Sequence, residues 1–136
     1  MSEPIYASRV RSELGDAVGG VFLKLVEVVP PEEAARLAGL IDRYMEDVRR
    51  ALAEPALIDA SQASHIAASC KALLALYEDL DESGRAAVVG AVRYFVRRVD
   101  ADDDLESPLG FDDDAVVVNI VIDLVGADVP KVPPQV

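Results

Sequence analysis

Eight carboxylates stand between Asp100 and Asp114 with no basic residue among them, and they are the side chains in this chain most suited to chemistry. Aspartate oxygens in a loop are the ligands that Mg²⁺ and Ca²⁺ prefer. Asp100, Asp104, Asp113 and Asp114 are therefore the candidate metal ligands. With Ca²⁺ or Mg²⁺ bound they would make a cation sensor or a cation-dependent hydrolase. An EF-hand register fails, however. With Asp100, Asp102 and Asp104 at loop positions one, three and five, Leu105 falls where glycine is needed and Phe111 where the bidentate glutamate belongs. Two other readings need no ion. In the first, Asp112 to Asp114 cap the following helix, worth about 0.5–2 kcal/mol, and Asp100 and Asp104 pair with Arg93, Arg97 or Arg98. In the second, the run is an acidic docking surface that steers a basic partner in a salt-dependent way. A thermal melt with and without Ca²⁺ or Mg²⁺ separates the ion from the other two.

The remaining reactive residues are sparse. His65 is the only histidine, which removes a histidine metal cluster and a Ser-His-Asp triad. Cys70 lies five residues away, about 140° around a helix, so the two cannot pair as base and nucleophile. Cys70 reads as a small core residue. Carboxylates alone can perform acid–base catalysis, but only when one is buried enough to raise its pKa. Acids in a hydrated loop are the wrong setting, so the expectation leans away from an enzyme. There is no P-loop and no GxGxxG, and the GxxxG at Gly15 to Gly19 is weak outside a membrane.

The elements that must position these residues follow from periodicity. Val10, Leu14, Val18, Val21, Leu25 and Val28 share one face of a first helix, over about residues 6–29. Gly19-Gly20 predicts a bend or a tight contact there, and Pro30-Pro31 ends the helix. A second helix opens at Pro31 with Glu32 and Glu33 at its positive end. It carries Leu37, Ile41, Tyr44, Val48 and Leu52 inward, with Glu32/Arg36, Arg43/Asp47 and Glu46/Arg50 as exposed i,i+4 pairs. A third begins near Asp59 or Ser61 and runs through Ile66, Cys70, Leu73, Tyr77 and Leu80. After Asp81-Glu82-Ser83-Gly84 a fourth turns Val88, Val92, Phe95 and Val99 inward, with Arg93, Arg97 and Arg98 at its negative end. The segment 115–125 is rich in β-branched residues, which suit strands. Its polar positions Asp112, Ala115, Asn119 and Asp123 instead recur every three or four residues, and a lone strand has no partner. A fifth helix is predicted, leaving through Gly126.

Residues 94–114 carry a recognisable spacing. Tyr94-Phe95, Asp100, Asp104 and Gly110-Phe111-Asp112-Asp113-Asp114 resemble the signature of the YkvA-like family (domain of unknown function 1232). That family has a Tyr, a P-x-D-x-x-P-D stretch and a G-[YF]-x-D-D turn. Arg98 and Asp103 stand where the family has proline, and acids replace most of its apolar residues, which implies a hydrated loop. The resemblance implies a helix–loop–helix with Tyr94, Gly110 and Phe111 as its structural motif. It implies no activity.

The whole chain sets the frame. Its 136 residues make one domain, expected over 1–129, with a Pro-rich extended tail over 130–136. A net charge of −12, of which −8 lies between Asp100 and Asp114, repels nucleic acid and anionic membranes. One cysteine permits no intrachain disulfide, the start Met1-Ser2-Glu3-Pro4 is unlike a signal peptide, and no run of about 18 apolar residues occurs. The expectation is a cytoplasmic, all-α bundle of about five helices, with an acidic loop between the last two and no cofactor. Apolar positions in helices 6–29 and 115–125 exceed one stripe. That points to an interaction or scaffolding module that self-associates, or docks a basic partner through the acidic run.

Overall fold

The computed structural model describes residues 5–51, 60–96, 112–126 and 129. Among them it has five α-helices and no strand: α1 Ile5–Leu25, α2 Pro31–Ala51, α3 Ala60–Ala75, α4 Glu82–Val96 and α5 Asp112–Val125, with a single 3-10 turn at Tyr77–Asp79 between α3 and α4. The all-α fold class therefore holds. The acidic run from Asp100 to Phe111 and the tail 130–136 lie outside the described residues, while Asp112 to Asp114 form the first turn of α5.

The centre is α4. The periodicity predicts one inward stripe, yet Gly84, Ala87, Val88, Val89, Gly90, Ala91, Val92, Tyr94 and Phe95 are all buried. A helix apolar on every side belongs inside, and α4 packs against each of the other four helices. Around it α1 touches α5, α5 touches α3 and α3 touches α2, but α1 and α2 share no contact among the described residues. Among the described residues the ring of helices is thus open along one seam. Tyr94, which a helix end would give a wet tip, is instead buried whole at 1% exposure. The surplus apolar residues of α5 need no second copy to cover them: Val117, Val118, Ile120, Val121 and Ile122 are buried within one chain.

Two helices end earlier than their patterns predict, and both ends are set from a distance. α1 stops at Leu25, several residues before Pro30. The Tyr77 hydroxyl donates to the Val29 carbonyl at 2.6 Å and accepts the Val29 N–H at 2.9 Å, holding that backbone out of the helix. The following proline also disfavours helical geometry at Val29. Arg93 then donates to the last carbonyl of α1, Leu25 O, at 3.0 Å. α3 stops at Ala75, where Arg85 takes the carbonyls of Tyr77 (3.0 Å) and Glu78 (2.7 Å) and lies 5.3 Å from the Tyr77 ring centre. Orphan carbonyls at helix ends are commonly satisfied by such cations.

Other signals were local. Pro30 O accepts the N–H groups of Glu33 (2.9 Å) and Ala34 (3.0 Å), which places Pro31 in the first turn of α2. Asp81 caps α4 by accepting Gly84 N–H at 2.8 Å. Gly126, at φ 65°, closes α5 through its N–H on Asp123 O at 3.3 Å. The bend of α1 falls at Gly15, with φ 88° and ψ 165°, not at Gly19-Gly20. Only glycine adopts that backbone without strain. Gly19 carries the tight contact: a Cβ there would lie 2.9 Å from Arg11 Cγ. The two glycines of the GxxxG thus make and close the kink.

Candidate functional site

Of the four candidate metal ligands, Asp114 is buried at 1% exposure in the first turn of α5, with Oδ1 sealed from solvent. Asp113 stands beside it in the same turn. Asp100, Asp104, Gly110 and Phe111 lie outside the described residues. Among the described residues no three His, Cys, Asp or Glu gather closely enough to hold a metal ion. A carboxylate is least costly to bury at a helix N-terminus, where free N–H groups and the dipole favour negative charge. The sequence pattern concealed this burial, because Asp114 reads as the last member of a solvated run.

The charge of Asp114 reaches the one thiol. Cys70 on α3 is fully buried, and loss of water, reinforced by the Asp114 charge, pushes its thiol far above the ordinary 9.0. The thiolate is the nucleophile, so burial that keeps the proton on Cys70 disfavours reaction there. The same shift has a consequence for stability. Above pH 9 the unfolded chain loses the Cys70 proton while the folded chain keeps it, so the folded state binds more protons and stability falls as pH rises. The slope from this group is about 1.4 kcal/mol per pH unit. Denaturant titrations from neutral to alkaline pH should show that extra slope in the native chain and its loss in Cys70→Ala. Parallel slopes would contradict it.

The exposed chemistry lies at the open seam. A groove of about 600 Å³ runs along α2, lined by Glu33, Arg36, Leu37, Leu40 and Arg43, and by Arg93 reaching out of α4. That volume lies within the usual range of binding clefts, about 300–1,000 Å³. Arg36, Leu40 and Arg43 are spaced by four and three residues, which puts them on one helix face. Leu40 is 41% exposed, one of three large apolar side chains so placed among the described residues; the others, Val21 and Val28, belong to α1 and the segment after it. The exposed pairs expected at Glu32/Arg36 and Arg43/Asp47 do not form. Neither Arg36 nor Arg43 holds an ion pair or hydrogen bond among the described residues. Arg93, expected to pair with the acids after α4, is committed to Leu25 O and to Glu27 at 2.9 Å. Arg9 bridges Glu13 and Asp123 at 2.8 Å each, and Lys71 pairs with Asp42. The spacing of Arg36, Leu40 and Arg43 was present in the sequence. What hid it was the assumption that each arginine would find its i,i+4 acid.

Among the described residues, fold and surface define a helical domain whose ring of helices is open along a seam bearing two arginines without an ion pair. Comparison with family models, curated proteins and solved structures finds no match. No helix among the described residues is long and apolar enough to cross a membrane.

Proposed function

We propose that this protein is a non-enzymatic, cytoplasmic interaction or scaffolding module that associates with itself. The observation that supports it is the outer face of α2, where an exposed leucine stands between two arginines that hold no ion pair among the described residues. An apolar centre flanked by uncommitted guanidinium groups is the composition of an interface, where arginine and apolar anchors are enriched. The acidic run supplies the opposite charge in the same chain. The YkvA-like resemblance of residues 94–114 accompanies this reading: α4 and α5 flank the run, as a helix–loop–helix would. It adds no chemistry.

Light scattering over a concentration series tests the proposal. The expected result is a mass of two or more chains of 14.5 kDa as concentration rises. A clean monomer at the highest concentration would contradict it.

A further inference from the structure

We infer that the seam groove takes the acidic run of a second copy, residues 100–106 (Asp-Ala-Asp-Asp-Asp-Leu-Glu), and that this contact is what joins the chains. The inference rests on the self-association reading and names its two surfaces.

The argument is complementarity of charge and reach. In a chain of net charge −12, Arg36 and Arg43 are placed seven residues apart on one face of α2; Glu33 also lines the groove, and neither arginine holds an ion pair among the described residues. Guanidinium forks bind carboxylates bidentately and are more weakly hydrated than ammonium groups, which makes them suited to such contacts. Seven residues of helix span about 10.5 Å, a distance that about three residues of extended chain cover. Side chains alternate along an extended chain, so Asp102, Asp104 and Glu106 share one face, and Asp102 and Glu106, about 13 Å apart, offer carboxylates to two flexible arginine side chains. One carboxylate per arginine follows from that match.

Salt sets the conditions for contact. Two copies of charge −12 repel, but at about 0.15 M salt the repulsion is confined to about 8 Å. Paired groups in direct contact survive that screening. Raising salt to about 1 M shrinks the range to about 3 Å and weakens the pairs too. Association is therefore strongest near physiological salt and falls on either side.

Sedimentation velocity at physiological salt tests the inference with two charge-reversed variants. One carries Arg36→Glu with Arg43→Glu; the other carries Asp102→Lys with Glu106→Lys. Each alone is expected to associate at least about tenfold more weakly, a difference of about 1.4 kcal/mol. An equimolar mixture of the two is expected to associate again, because each supplies the surface the other lacks. The chain carrying all four substitutions keeps the original net charge and is expected to regain self-association. Thermal melts confirm that the variants fold. Variants that associate as well as the unaltered chain would overturn the groove while leaving self-association standing, and so would a mixture that stays monomeric. An unaltered chain that never associates would instead contradict the reading beneath.

Discussion

Replacing Tyr77 with phenylalanine is expected to lower the stability by about 2–4 kcal/mol. The hydroxyl is buried and serves twice, donating to Val29 O and accepting from Val29 N–H. Phenylalanine keeps the ring in the core but leaves a buried donor and a buried acceptor without a partner. Each such orphan costs about 1–3 kcal/mol. Part is recovered if water reaches Val29, which is why the range stops short of the sum. In a domain of this size the loss lowers Tm by about 10 °C. The damage should also be directed: with Val29 released, the segment between α1 and α2 loses its tie to the turn after α3. Amide exchange should rise first at Val29. A Tyr77→Phe melt within about 2 °C of the native chain would show the hydroxyl to be replaceable.

Gly90→Ala is the second large effect. Gly90 sits on the buried face of α4 where α1 and the segment after it cross. An added Cβ would stand 2.5 Å from Val26 Cγ1, 3.0 Å from the Phe22 ring and 3.3 Å from Val26 Cα. The Val26 methyl can rotate away, but the Val26 backbone and the fully buried Phe22 cannot both retreat. Overpacking of this kind costs about 1–3 kcal/mol, outweighing the better helix propensity of alanine, about 1 kcal/mol. Gly20→Ala supplies the control. Its Cβ would meet nothing within 4 Å, so the propensity gain stands alone and stability should rise. Opposite signs in paired denaturation curves are expected. Equal gains would mean that α1 and α4 cross less closely.

These two residues also show where a sequence stops being readable. Helices α2 and α5 were legible because their signals are local: Pro31 and two glutamates at one start, a polar periodicity against β-branched composition, Gly126 at an exit. The burial of Cys70 was legible too. The ends of α1 and α3 were not, because Tyr77, Arg85 and Arg93 set them through contacts as distant as 68 residues in sequence. Nor was the central place of α4. Its one-stripe pattern of Val88, Val92 and Phe95 is satisfied, and Val89, Ala91 and Tyr94 are buried as well. Small residues at Gly84, Ala87, Gly90 and Ala91 were the available hint, since they let neighbouring helices approach on every side.

The candidate site divides in the same way. The acidic run was the dominant sequence signal, and its charge is fixed by composition alone. Its complement was hidden, because an open seam depends on which helices fail to touch. Only once α1 and α2 are seen to be separated do Arg36, Leu40 and Arg43 become a surface in search of a partner, not the exposed side of an amphipathic helix.

The most direct measurement is the weight-average mass of the unaltered chain at one high concentration as salt is raised from about 0.15 M to about 1 M. The predicted result is a mass above 14.5 kDa that falls toward that value as the paired charges are screened. A mass of one chain at physiological salt, unchanged throughout, would contradict it.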